Sequence, residues 1–481
     1  MENTPKGEIM QNPAPTRQTW SSSLTYVLTV AGATIGFGAT WRFPYLVGEN
    51  GGGAYVLVFI LAMILVGIPV IWVENVIGRR AHKNAIDAFG GEIEGKSIPH
   101  IYKIIGYCGI AGAFGIMAYY MVLGGWVITY ITSILSGELN LSSPIDKELA
   151  QSFYNAKIEH NPLMIGIWTS VFVAINWVIL KKGIIDGIER SMKYLMPLLF
   201  ICLFIIVIRN LTLPGAMEGV RFYLLPDFSK ITPKLFIDVL GQVFFALSLG
   251  FGVMITLSSY LQKNENMIKT AVATGVLNTL IALLAGFMIF PSLFSFGLEP
   301  NQGPSLVFQT LPIVFSHIYF GNVLALIFFL LLITAALTTS LPIYEVIITA
   351  LYEKCNISRT NAINITLGFI FICGNLPCIL SYGAWEHITW NGKNIFDSFD
   401  FISGNILFVL TSLGTLLFVG WILKDEAKKE LSNNGTLNPH LVNIWYAYVK
   451  YILPFVIVLI FIAGVFPDTL NKLLRSFAAL L

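Results

Sequence analysis

Long apolar runs separated by short polar stretches fill almost the whole chain, and eleven can be picked out, near residues 24–48, 54–78, 101–136, 163–180, 194–208, 235–261, 268–296, 321–352, 360–382, 399–423 and 447–467. A helix needs roughly 20 apolar residues to cross the hydrocarbon core. The pattern therefore predicts an all-α polytopic membrane protein of about eleven transmembrane helices. It divides the chain into an N-terminal segment 1–21, a membrane domain 22–467 and a tail 468–481 that could lie along the membrane surface. The polar residues ahead of the first run, with no small-residue cleavage site after it, argue against a removed signal peptide.

Two of the runs are interrupted at matching places. The first contains Gly32-Ala33-Thr34-Ile35-Gly36-Phe37-Gly38 and the sixth Ser248-Leu249-Gly250-Phe251-Gly252. Backbone inside a bilayer must satisfy its own N–H and C=O groups, so unwound segments there line a cavity or bind something. Single glycines serve helix packing equally well. Paired breaks, each opening one half of the chain, instead point to a secondary transporter built as an inverted repeat of five helices plus five, with its site at the midplane. The repeats are expected over about 22–209 and 235–424.

Composition and charge agree. The 481 residues are 56% hydrophobic and 12% charged, too apolar for a soluble protein. The net charge of +2 comes from short loops and forms no groove-sized basic patch, which argues against nucleic acid as a partner. Arg79, Arg80, Lys83 and Lys96 follow span 2, Lys181, Lys182, Arg190 and Lys193 follow span 4, and Lys424, Lys428 and Lys429 follow span 10. The positive-inside rule makes these loops and the N-terminus cytoplasmic in a multi-pass protein of the cell membrane. The five cysteines, Cys108, Cys202, Cys355, Cys373 and Cys378, lack metal-ligand spacing and read as apolar fillers. The sequence shows no nucleophile–base pair, phosphate loop or metal cluster, so an enzyme is not expected.

Trp41-Arg42-Phe43-Pro44-Tyr45, Glu49-Asn50-Gly51-Gly52-Gly53-Ala54, Pro214-Gly215-Ala216-Met217-Glu218-Gly219, Gly241-Gln242-Val243-Phe244-Phe245 and Ser248-Leu249-Gly250-Phe251-Gly252 occur in this order. Together they resemble the neurotransmitter:sodium symporter family, with the leucine-transporter fold, and eleven spans resemble its bacterial members. The resemblance implies a sodium site, the family's second, on Gly32, Ile35, Ala335, Thr338 and Thr339. It implies a substrate pocket of Gly36, Phe37, Gly38, Ile116, Tyr120, Phe245, Ser248, Phe251, Thr339 and Ile343. It also implies an outer gate of Arg42 with Asp400, and an inner gate of Arg17 with Glu353 beside Trp20 and Tyr260.

The chain departs from the family at its first sodium site, where the matching positions are Ala39, Ala246 and Asn278. Two of these offer only methyl groups, and Ala282 stands where a glutamate or a chloride-binding serine is usual. One bound sodium and no chloride are therefore expected. In the family that first ion faces the substrate carboxylate, and a buried unpaired charge is costly. The expected cargo is a small hydrophobic or aromatic solute: a carboxylate-free aromatic such as indole, or an aromatic or branched amino acid. The alternatives are a proton-coupled or sodium-independent amino-acid transporter of the same fold, or a non-transporting substrate sensor. Intramembrane acids are functional candidates by default; Glu345 is the better proton carrier, because Glu74 has a structural match in the family. The partners are the solute and the bilayer, with a homodimer left open.

Overall fold

The computed structural model describes residues 19–298 and 306–466. Among them, nine helices are long and apolar enough to cross a membrane, and a bent pair supplies a further span. That pair begins with α1 (Ser23–Thr34), whose start is fixed by a capping box in which Ser22 accepts from the Thr25 amide at 3.2 Å and the Thr25 hydroxyl accepts from the Ser22 amide at 3.3 Å. After a break at residues 35–37, α2 (Gly38–Glu49) leaves at 68°. Then come α3 (Gly53–Ala81), α4 (His100–Leu135), α5 (Pro162–Lys181) and α6 (Ile184–Leu211).

The sixth predicted run is also broken, into α7 (Pro233–Ala246) and α8 (Val253–Ser258). Between them Ser248, Gly250 and Gly252 all have positive φ. Gly250 is held to this by crowding as well as by its backbone, since an added Cβ would run into the Phe408 carbonyl. The remaining spans are α9 (Met267–Ser295), α10 (Gly321–Cys355), α11 (Arg359–Leu380), α12 (Ile395–Leu423) and α13 (Pro439–Val465).

α4 and α10 are the most enclosed helices, whereas α5 and α13 turn most of their apolar surface outward. In a bilayer such outward surface meets lipid rather than water. α1 packs against α6, α9 and α10, and α8 packs against α3 and α10, so both breaks lie at the centre of the bundle. Two helices start well before their apolar runs. α6 begins at Ile184 and α13 at Pro439, where Asp186, Glu189, Arg190 and Lys193 in the one and His440 and Asn443 in the other, mixed among apolar residues, lower the hydropathy.

The loop after α3 carries a two-stranded antiparallel hairpin, β1 (Glu92–Ile93) with β2 (Lys96–Ser97). On the same side, a short helix, Asp425–Leu431, is tied to the end of α3 through Arg79. This buried guanidinium donates to Glu430 Oε1 at 2.6 Å, to the Glu265 carbonyl at 2.6 Å and to Asn433 Oδ1 at 2.8 Å. A buried arginine is tolerable only when its donors are met in this way.

Candidate functional site at the two helix breaks

The unwound segments face each other, and neutral side chains satisfy the carbonyls they release. The Ser248 hydroxyl donates to the Ala33 carbonyl at 3.0 Å, and Gln242 Nε2 donates to the Gly38 carbonyl at 3.0 Å. Asn278, fully buried on α9, donates from Nδ2 both to the Thr34 carbonyl at 3.1 Å and to the Ala246 carbonyl at 3.0 Å. One amide thus clamps the last residue of α1 to the last residue of α7. On the far side of the second break, the Gly250 amide donates to Glu74 Oε1 at 2.7 Å, which gives this buried carboxyl a structural partner.

The five residues expected to hold sodium fall into one neighbourhood. Thr339 Oγ1 donates to the Gly32 carbonyl at 3.2 Å, and the Ile35 amide, in the break itself, bonds the same carbonyl at 3.2 Å. The Thr338 hydroxyl donates to the Ala335 carbonyl at 2.9 Å one turn back on α10. All five are buried. The cluster offers only neutral oxygens, the ligand type a hard cation takes.

Next to it, every residue expected to bind substrate lines one common cavity, joined by Ala33 and Thr34. The space among them is about 20 Å³, one water's worth, so the Phe37, Phe245 and Phe251 rings must part to admit an aromatic solute. Phe37 leans on Tyr120 with ring centres 4.9 Å apart, and Phe251 stacks on Phe408. The Tyr120 hydroxyl is buried beside the Phe37 amide and Thr339. The amides of residues 36–38 stand at the N-terminus of α2, where partial positive charge collects.

Beyond Phe245 and Phe251 a second cavity of about 180 Å³ is lined by Arg42, Tyr45, Asp238 and Asn405 among others. Here the expected outer pair is not made. Arg42 sits with its guanidinium carbon 4.4 Å from the centre of the Phe245 ring, a cation–π contact, while Asp400 is exposed near Tyr119. The opposite end is closed by packing. Trp20 meets Tyr260 edge-on with ring centres 6.1 Å apart, its indole donates to the Leu257 carbonyl at 2.9 Å, and its amide bonds the Tyr260 carbonyl at 3.3 Å. Glu353 Oε2 accepts from the Asn84 amide and side chain, both at 2.9 Å, and its expected partner Arg17 lies outside the described residues.

Glu345, the proton candidate, has a different setting from the one expected. It is fully buried and bidentate with Arg359, at 2.8 and 2.6 Å, and also accepts from Thr349 at 2.8 Å and from Tyr260 at 3.3 Å. A carboxylate so fully paired is a structural anion, and through Tyr260 it braces the closed end. Sequence reasoning missed Arg359, which sits fourteen positions along the chain at the start of the next helix, and it gave Gln242 no role. The latter was marked by its place in the Gly241–Phe245 motif and as an amide in an apolar run.

The match to known proteins follows the same geometry. The family model of the sodium:neurotransmitter symporters matches residues 17–163 and 160–473. The chain belongs to that family. It is similar to an uncharacterized sodium-dependent transporter of Haemophilus influenzae, 66% identical over 94% of this chain and 98% of the relative. A second relative, the sodium-dependent transporter YhdH of Bacillus subtilis, is 37% identical over 92% of this chain and 96% of its own length. Among solved structures, MhsT in complex with L-phenylalanine is 36% identical, with a TM-score of 0.83 over 93% of this chain and 100% of MhsT. The leucine-transporter fold and membership among sodium-dependent membrane transporters are thereby established.

Proposed function

We propose that this symporter imports a small aromatic or branched hydrophobic solute by alternating access, coupled to one sodium ion held by Gly32, Ile35, Ala335, Thr338 and Thr339. The observation that carries the reading is the Asn278 amide. It already supplies N–H donors to the Thr34 and Ala246 carbonyls, and the neighbouring side chains of Ala39 and Ala246 are methyls. In this orientation amide hydrogens, not a cation, meet the two carbonyls, while Asn278 Oδ1 is buried without a hydrogen-bond partner. Neutral amide hydrogen thus occupies the place of a second charge, and one positive charge would move per neutral solute carried.

With no cation beside it, the pocket supports a carboxylate-free aromatic such as indole. An aromatic or branched amino acid is the second reading. It is favoured by the L-phenylalanine in MhsT and by the donors here that could take a carboxylate, the amides of residues 36–38 and the Tyr120 hydroxyl. The Trp20–Tyr260 packing supports a state closed towards the cytoplasm, with Arg42 and Asp400 poised to close the other side.

The test is binding to the purified protein, titrating indole and tryptophan separately, with and without sodium at fixed ionic strength. Sodium-dependent binding of indole but not tryptophan is expected. Tight tryptophan binding would move the assignment to the amino acid, and binding indifferent to sodium would overturn the coupling site.

A further inference from the structure

α4 and α11 both pack along α10 and meet each other where Asn375 Nδ2 donates to the Met117 and Ala118 carbonyls at 2.8 and 2.7 Å, but towards the end of α10 that carries Glu353, over residues 359–370 of α11, they touch little. A groove of about 590 Å³ is left between them on the bundle surface, away from the transport pathway. Ala111 and Phe114 form one wall, Ile365 and Phe369 the other, and Leu351 the floor. Its one charged lining residue is Lys354, at the end where the exposed ring of Tyr107 stands 5.3 Å from the ammonium.

We propose that this groove is a lipid site, seating an acyl chain of an anionic phospholipid of the cytoplasmic leaflet with its phosphate on Lys354. Apolar surface alone does not select one lipid from a bilayer, because lipid tails are as apolar as the side chains they touch. The selecting feature is the charge at the mouth. Asp87 Oδ1 faces two lysines, Lys103 at 2.7 Å and Lys354 at 3.7 Å. One carboxylate neutralises one of them, and Lys103 makes the short bond. Lys354 is left with surplus positive charge where the positive-inside pattern places anionic headgroups, and its long stem suits it to reach them.

The nearest other acid, Glu353, is engaged by Asn84, whose Nδ2 also donates to Asp87 Oδ2 at 3.0 Å. A phosphate that draws Lys354 off Asp87 therefore acts one hydrogen-bonded side chain away from Glu353, at the cytoplasmic end of the pathway. The proposal rests on the orientation read from the loop charges and is independent of which solute is carried.

The experiment is native mass spectrometry of the full-length protein in detergent, offered phosphatidylglycerol and phosphatidylcholine in equal amounts. Wild type is expected to retain one phosphatidylglycerol in preference to phosphatidylcholine. Lys354→Gln should lower that preference about fivefold, the equivalent of the roughly 1 kcal/mol that one lysine contributes near an anionic surface. Ala111→Phe, at an exposed wall position, should remove the retained lipid while solute binding and melting temperature stay at wild-type values. Equal retention of the two lipids, or phosphatidylglycerol retention indifferent to both substitutions, would overturn the proposal. A protein dimer abolished by Ala111→Phe would also overturn it, by assigning the groove to a second copy.

Discussion

Gly36→Ala tests the site at its tightest point. A Cβ on Gly36 would collide with the Tyr120 hydroxyl and come within 2.7 Å of Thr339 Oγ1. Neither neighbour can yield freely. The Tyr120 ring is packed against Phe37, and rotating Thr339 would give up its bond to the Gly32 carbonyl. One extra methyl in a packed interior costs about 1–3 kcal/mol. That cost lowers solute affinity by about fivefold to about 150-fold. Sodium affinity should fall with it, because the same hydroxyl belongs to the proposed ion site.

The assay is equilibrium binding of indole, the proposed solute, at several sodium concentrations, with melting temperature as the check on folding. Adding Tyr120→Phe to Gly36→Ala removes one of the two colliding atoms, so the pair should bind better than Gly36→Ala alone. Wild-type affinity in Gly36→Ala, or a double variant worse than the single one, would refute the contact geometry on which the pocket assignment rests.

Three further outcomes follow from the same network. Replacing both Thr338 and Thr339 by alanine removes two oxygens from the proposed ion site, and sodium should then stimulate binding at least about tenfold less, a change of roughly 1.4 kcal/mol, read from sodium titrations. Asn278→Ala strips the donor from two buried carbonyls at about 1–3 kcal/mol each; the melting temperature should drop, and persistence at the wild-type value would show that the clamp across the breaks is dispensable. Glu345→Gln leaves Arg359 without its counter-charge. Because Arg359 keeps some solvent contact, the loss should be about 1–3 kcal/mol, below that of a fully buried pair, and cytoplasmic thiol accessibility should rise as the Tyr260 side loosens; unchanged accessibility would limit Glu345 to a stabilising role.

How far the sequence reaches into this structure depends on whether a feature repeats along the chain or closes across it. The spans were legible because a bilayer enforces one property over some twenty consecutive residues, and the two breaks because glycine inside such a run contradicts that property. Where polar and charged residues are mixed into a helix ahead of its apolar core, as after Ile184 and Pro439, the same signal stops short.

The pocket residues became legible only through family register, since nothing in thirty-five phenylalanines singles out Phe37, Phe245 and Phe251. Polar partnership across helices left no trace of either kind. Glu345 reads as an intramembrane acid open to protons until Arg359 is seen to grip it from the next helix, and Arg42 and Asp400 read as a pair until the guanidinium is seen over Phe245. Asn278 is the most instructive case. Its side chain has both an oxygen that could coordinate sodium and a nitrogen that could replace it, and the sequence cannot say which is turned inward. With Nδ2 at 3.0 and 3.1 Å from the two carbonyls it is the nitrogen that faces them in this structure, and the proposal of a single sodium ion rests on that orientation. The same atoms thus make a sodium ligand or its substitute, and the choice is set by what the two broken helices present.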